Sequence, residues 1–180
     1  LAEKKGVKIL VAGHKEEDGG THLSLTEGVS KFYALLKETT TRDGFSGHNE
    51  KYYLSMLEEL GDKRCKLYLA EFEGEIIAGI VATFFGDMAI YYFGASGNMH
   101  RNVMAPYLLQ WAVMKEAKTQ GIKWYDFLGI APVNEAGEVN EKHAWAGVTE
   151  FKRKFGGIVV NYQPAQELVY NLPVYRAIIG

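Results

Sequence analysis

The sequence predicts a mixed α/β (α+β) domain, a largely antiparallel sheet flanked by helices. Three observations carry this expectation. Two helix-period segments precede Gly61, a run of strand-period residues then extends from Lys66 to Ser96 with two turn signals inside it, and a third helix-period segment leads into a further apolar strand. Because the strands are consecutive instead of alternating with helices, the order argues against a doubly wound parallel sheet.

LAEKKGV reads as the tail of a helix, with two lysines near its C-terminal end and Gly6 as its stop, and it leads into a strand over Val7 to Ala12. HKEEDGGT, from His14 to Thr21, reads as a polar loop. Ser24 or Thr26 then caps a helix running to about Thr40, whose apolar face is Val29, Phe32, Tyr33, Leu35 and Leu36. TTTRDGFSGHN is an irregular loop, after which Asn49 caps EKYYLSMLEELG and Gly61 stops it.

KLYLAEFEGEIIAGIVATFFGDMAIYYFGAS divides into three antiparallel strands at its EGE and GDM turns. The near-continuous apolar runs IIAGIVATFF and MAIYYF predict a sheet covered on both faces. HRNVMAPYLLQWAVMKEAKTQG then reads as a loop and an amphipathic helix, with Met104, Leu108, Trp111 and Met114 on one stripe, and KWYDFLGI as the next strand. Pro132 to Asn140 is a loop, TEFKRKFGG a short helix with a glycine stop, IVVNYQ and ELVYN are strands, and a terminal helix begins near Pro173.

A chain of 180 residues, 47% hydrophobic, buries one good core and is too short for two comfortable ones, so residues 1–180 form a single domain. Twenty basic against 22 acidic residues, a net charge of -2, exclude a global attraction to nucleic acid or to an anionic membrane, so any polyanion contact must be local. The single cysteine, Cys65, excludes an intramolecular disulfide and a cysteine-rich metal site, which fits a reducing cytoplasm. No base flanks it to activate the thiol. No run reaches the length of a signal-peptide core or of a membrane-spanning segment. His14, His22, His48, His100 and His143 show no metal-binding spacing, so no metal is expected, and no Ser-His-Asp or Cys-His pattern points to a covalent intermediate.

Strand, turn, basic loop, helix, strand is also the central unit of the acetyl-CoA-dependent N-acetyltransferase (GNAT) fold. There a loop of pattern R/Q-x-x-G-x-G/A meets the helix start, and its backbone N–H groups hold the pyrophosphate. The matching window here is Arg101-Asn102-Val103-Met104-Ala105-Pro106. Both glycines are absent, Met104 places a side chain where the backbone would approach phosphate, and Pro106 removes a donor. The expectation is a GNAT-like fold without its CoA cradle.

The block YYFGASGNMHRNVMAPYLLQWAVMKEAKTQGIKWYDFLGI, with GVTEFKRKFGG, VVNY and ELVYN after it, resembles the second acyltransferase-like domain of the FemABX family. The similarity runs from roughly Thr39 to Asn171. It implies a tRNA-dependent aminoacyltransferase that adds amino acids to the stem peptide of a peptidoglycan precursor. The donor is then aminoacyl-tRNA, with no resident cofactor and no CoA, and the acceptor is UDP-MurNAc-pentapeptide or its lipid-linked form. It also implies a preceding N-terminal domain, with which the helix-tail opening LAEKKGV agrees, and a cytoplasmic location, peripheral to the inner face of the bacterial membrane.

The resemblance further assigns roles by position. Arg42 would bind the diphosphate of the precursor, since a guanidinium grips phosphate oxygens bidentately; a surface pair with Asp43 is the competing reading. Phe151 and Lys152 would be catalytic, an ammonium oriented by an aromatic face and stabilising the oxyanion or the leaving group. Tyr91 and Tyr92 alternate on a strand, so only one can face a cleft, where it would hydrogen-bond the precursor's peptide or sugar; core packing is the competing and preferred reading for either one alone. His100, Arg101, Arg153 and Lys154 are assigned to tRNA phosphates, with a solvated basic patch as the alternative for the last two. Asp126 reads as a structural carboxylate, and no general base stands out. Two other functions remain open: an acyl-CoA-dependent N-acyltransferase, which Met104 and Pro106 argue against, and a non-catalytic precursor-binding half-domain.

Overall fold

The computed structural model describes residues 1–14, 23–134, 137–163 and 166–179. Most of the expected polar loop after His14 therefore lies outside the described residues. A short 3-10 turn, Glu3–Lys5, ends at Gly6 in the left-handed region (φ 92°), as the opening residues suggested. Five strands follow in sequence order and lie in that same order in space: β1 (Lys8–Val11), β2 (Cys65–Phe72), β3 (Glu75–Phe85), β4 (Met88–Ser96) and β5 (Trp124–Asp126). The first three pairings are antiparallel and β4 with β5 is parallel. A parallel neighbour requires a crossover, which helix α3 (Ala105–Thr119) supplies.

Both sheet faces are covered. Leu67 and Leu69 of β2 point to helices α1 (Leu25–Asp43) and α2 (Glu50–Leu60), while Tyr68 and Ala70, alternating with them, point to α3. The first helix starts at Ser24, not Thr26, through a capping box: the Glu27 N–H donates to Ser24 Oγ at 3.2 Å and the Ser24 N–H to Glu27 Oε2 at 3.0 Å. Gly28 seats it, since a Cβ there would lie 2.5 Å from that of Ala12 at the end of β1. Asn49 caps α2 by accepting from the Tyr52 N–H at 2.9 Å.

The first helix runs beyond Thr40 to Asp43, so Arg42 stands in its last turn and not in a loop. Threonines are poor helix formers, but Thr39 is buried and tied across to the sheet, its hydroxyl donating to Leu35 O at 2.9 Å and accepting from the Ser96 N–H at 3.1 Å. That tertiary anchor outweighs local propensity.

Three further expectations change. The buried stripe of α3 is Ala105, Leu109, Val113 and Ala117; Trp111 is 56% exposed, Leu108 and Met114 are half-buried, and Met104 precedes the helix. KWYDFLGI pairs with β4 over Trp124–Asp126 alone. IVVNYQ and ELVYN form no strand; Ile158 is 80% and Tyr170 91% exposed. Their apolar alternation signals a capacity for pairing, but a strand exists only where a neighbour offers its edge. The helix expected within TEFKRKFGG begins earlier, as α4 (Ala146–Arg153), and the terminal helix α5 is Leu172–Ile179.

A polar cluster ties β2 to α3. Lys66 Nζ donates to Glu116 Oε1 at 2.5 Å and the Tyr68 hydroxyl to Glu116 Oε2 at 2.5 Å, with the Lys66 and Glu116 side chains only 15% and 25% exposed. Burial opposes ionisation of Glu116, yet these two donors outweigh it and hold the carboxylate below its usual range. Glu116→Ala leaves both donors without their acceptor and is expected to cost about 2–3 kcal/mol, lowering Tm by roughly 4–12 °C in a thermal melt. A carboxylate with a depressed pKa contributes stability that is present above its ordinary pKa and lost as pH falls through the depressed one. The gap between wild type and variant should therefore close in acid.

Candidate active site

The third and fourth strands pair out of register at one point: Ala82 opposes Tyr91 and Val81 opposes Phe93, leaving Tyr92 as the extra residue of a β-bulge. The insertion reverses the side-chain alternation. Ala89 and Tyr91 face the α3 side, whereas Phe93 and Ala95 face α1 and α2. Parallel pairing between β4 and β5 ends at Ile90 opposite Asp126, just before the bulge, where β5 itself ends.

Helix α4 is stitched to the chain that leaves β5 on this side. The buried Thr149 accepts from the Ala131 N–H at 2.9 Å, and Lys152 Nζ donates to the carbonyl of Gly129 at 2.6 Å. The same ammonium lies 6.0 Å from the centre of the Tyr91 ring, at the outer limit of a cation–π contact. Burial pushes the Lys152 pKa below the usual lysine range, and the negative charge of Asp126 partly opposes that. Burial likewise pushes the Tyr91 phenol up to about 12.

Aromatic rings pack around this point. Phe151 meets Tyr107 of α3 edge-on at 4.9 Å and Phe155 at 5.3 Å, Phe155 packs on Phe127 at 5.0 Å, and Phe127 meets Tyr91 at 6.3 Å. The ring beneath the ammonium is thus that of Tyr91, not Phe151 as the adjacent Phe-Lys pair suggested. Phe151 instead fixes α4 on α3. Asp126 accepts from the Leu128 N–H at 2.7 Å, the structural bond expected of it, and so supports Leu128 in the left-handed region at φ 59°. The Tyr125 hydroxyl donates to Oε1 of the fully buried Gln110, fastening β5 to α3, while Gln110 Nε2 has no hydrogen-bond partner among the described residues.

None of the other singled-out residues shares the Gly129 and Tyr91 contacts of Lys152. Arg42 grips the Asp43 carboxylate with two nitrogens at 2.8 and 3.1 Å, and its third donates to Ser96 O at 3.1 Å and Asn98 Oδ1 at 3.0 Å. It meets the end of β4 from the α1 side, whereas Lys152 meets β4 from the α3 side. Tyr92 is exposed at the bulge, 4.7 Å from Phe93. His100, in the left-handed region at φ 56°, packs edge-on against Phe72 at 5.2 Å, and Arg101 beside it is exposed. Arg153 donates to Gly137 O at 2.7 Å, and Lys154 is exposed at the end of α4.

Three backbone N–H groups at the approach to α3 and in its first turn are already engaged. The N–H groups of Val103, Met104 and Tyr107 donate to His100 O, Arg101 O and Met104 O at 3.0, 3.2 and 3.1 Å, and Pro106 has none. Met104 itself is left-handed at φ 62°. Tyr107, Phe127, Phe155 and Gly94 of this region went unnoticed in the sequence. The aromatic recurrence at Phe151 and Phe155, one helical turn apart, was the signal that pointed to a shared aromatic contact.

Comparison with known proteins places this geometry. A lipid II:glycine glycyltransferase of Staphylococcus saprophyticus is 28% identical over 125 residues, covering 69% of this chain and 29% of that protein. The chain therefore spans less than a third of that relative's length. The crystal structure of FemX superposes with a TM-score of 0.66 at 19% identity, over 84% of this chain and 50% of that one. A ribosomal-protein-alanine N-acetyltransferase from Brucella melitensis superposes with a TM-score of 0.56 at 12% identity, over 91% and 99% of the two chains. These likenesses establish the GNAT-like fold, as the sequence predicted. The model of the FemAB family matches residues 1–74 and 72–177, nearly the whole length. The chain belongs to the FemAB family.

Proposed function

We propose that this chain is the C-terminal domain of a two-domain aminoacyltransferase, and that it transfers an amino acid from aminoacyl-tRNA to the stem peptide of a peptidoglycan precursor. The observation that carries the reading is the half-buried Lys152 ammonium, held at 2.6 Å on Gly129 O in the segment that follows β5. In this reaction the precursor's amine attacks the ester carbonyl, the C–N bond forms and the C–O bond to the tRNA ribose breaks. The amine proton leaves with, or by way of, the departing ribose oxygen. Lys152 acts on the charge that develops in between, since a fixed cation in a partly dehydrated site stabilises an oxyanion strongly. Phe151 and Tyr91 hold its helix and its surroundings in place.

The engaged backbone at the start of α3 supports a donor other than CoA, because three of its N–H groups are already used and Pro106 has none. Family relatives named for glycine transfer to lipid II support the precursor as acceptor. In this reading Arg42 binds the diphosphate, exchanging Asp43 for phosphate oxygens, Tyr92 contacts the precursor at the bulge, and His100, Arg101, Arg153 and Lys154 meet tRNA phosphates. In this reading the enzyme works in the cytoplasm, at the inner face of the bacterial membrane, on a nucleotide-linked or lipid-linked precursor.

The test is calorimetric titration of the chain with UDP-linked muramoyl pentapeptide, run beside acetyl-CoA and repeated with Arg42→Ala. Loss of charge-assisted bonds to phosphate is expected to weaken precursor binding about 10- to 100-fold. Binding of acetyl-CoA without binding of the precursor overturns the reading in favour of an acyl-CoA-dependent enzyme.

A further inference from the structure

Gly94 is three residues after Tyr91 on β4, and in a regular strand positions three apart project to opposite faces. The bulge at Tyr92 removes that separation. With the alternation reversed between Tyr91 and Phe93, the Tyr91 side chain and the position a Gly94 side chain would take come to the same face, the one under α3 and α4. Tyr91 uses the space. A Cβ built on Gly94 would lie 1.9 Å from the Tyr91 hydroxyl oxygen, 2.7 Å from Cζ and 2.8 Å from Cε2.

We propose that Gly94 is a positioning residue for the lysine site: its missing side chain is what lets the Tyr91 ring lie back along β4, against Phe127 and beneath the Lys152 ammonium. Its catalytic meaning rests on the aminoacyl-transfer reading above; the placement itself does not. All three obstructed atoms are at the far end of one side chain, so a methyl group at this position moves the ring and not the backbone. A displaced ring gives up the edge contact with Phe127 and exposes its hydroxyl. Lys152 then loses the aromatic wall on one side while keeping its bond to Gly129 O. Among the described residues, Lys152 from α4 and Tyr125 from β5 are the titratable groups that act on or face Tyr91, and Asp126 acts in turn on Lys152.

Two spectroscopic readouts test this without any substrate. In a chain carrying 13C at the tyrosine ring, Tyr91 is assigned by its loss in Tyr91→Phe; Lys152 is followed after reductive 13C-methylation, assigned with Lys152→Arg. Burial pushes the Tyr91 phenol up to about 12, so Gly94→Ala, by exposing the hydroxyl, is expected to move its titration towards the ordinary value of 10 with the circular dichroism spectrum unchanged. The Lys152 resonance should shift as well. In a Tyr91→Leu background Gly94→Ala should add nothing further to the Lys152 shift, because the ring it displaces is gone. Unchanged Tyr91 and Lys152 resonances in Gly94→Ala overturn the proposal. If Gly94→Ala does not fold, Gly94→Ala/Tyr91→Ala separates the causes: restored folding supports the ring clash, and an unfolded double variant shows that the backbone needs the glycine and overturns it. None of these outcomes depends on whether the chain binds a precursor, so failure of the aminoacyl-transfer reading shows separately.

Discussion

In the proposed two-domain aminoacyltransferase, replacing Lys152 by methionine is expected to lower kcat for aminoacyl transfer about 10²–10³-fold, with KM for the acceptor nearly unchanged. The split follows from what the ammonium touches. It is held by Gly129 O beside Tyr91, on the α3 side of β4, and a group that acts on charge formed only in the transition state shows its loss in kcat. Lys152→Arg should not rescue, since a planar guanidinium does not reproduce a compact ammonium 2.6 Å from a single carbonyl. Burial lowers the Lys152 pKa, so the rate should fall as pH rises through a value below 10.5. Asp126 opposes the shift, and Asp126→Asn is expected to bring that alkaline limb to lower pH.

The linkage has a matching sign for stability. A lysine whose folded pKa is depressed contributes stability that is present above its unfolded pKa and lost as pH falls through the folded one, so at neutral pH the buried charge is unfavourable. Lys152→Met should therefore leave Tm at or above that of the wild type, which separates a lost catalyst from a lost fold. Steady-state kinetics and a thermal melt on the same preparation check both halves. A variant with normal kcat removes Lys152 from the mechanism.

Leu109→Ala is expected to destabilise the domain by about 3 kcal/mol, and Trp111→Ala, two residues away and much larger, by no more than about 0.5 kcal/mol. Leu109 is fully buried between α3 and the sheet, and truncating it leaves a cavity that the flanking Ala105, Val113 and Ala117 are ill-placed to fill. Trp111 projects from the outer side of the helix, 56% exposed. Urea denaturation measures both, with the midpoint moving and the slope unchanged. A reversed ranking would restore the stripe of Met104, Leu108, Trp111 and Met114 that hydrophobicity alone suggests.

That contrast shows where the sequence is ambiguous. Residues four apart lie on one face of a helix, but Ala105, Leu109, Val113 and Ala117 and the bulkier stripe beside them satisfy the same period. The sheet decides between them, because small alanines at both ends of the true stripe permit a closer approach than tryptophan does. The site divides similarly. Phe151 and Lys152 were legible as a pair, and the absence of glycine from Val103 to Pro106 was legible as a closed phosphate loop. That Tyr91 supplies the ring near the ammonium was not, since it depends on a bulge one residue later and on a helix sixty positions downstream.

By itself the sequence determined whatever depends on neighbours within a turn or two: Asn49 as a cap, Gly6 and Gly61 as stops, the three antiparallel strands between Lys66 and Ser96, and the loss of a donor at Pro106, while the choice of Ser24 over Thr26 as the first cap fell to the structure. These follow from local hydrogen bonding and from side chains that alternate or recur at a fixed period. Only the tertiary structure decided how far α1 extends, which face of α3 is buried, where β5 ends and which ring lies beneath Lys152. Each of these is settled by contacts between residues distant in the chain. A local pattern records that a strand or a buried face is possible, while the neighbour that completes it exists only after folding.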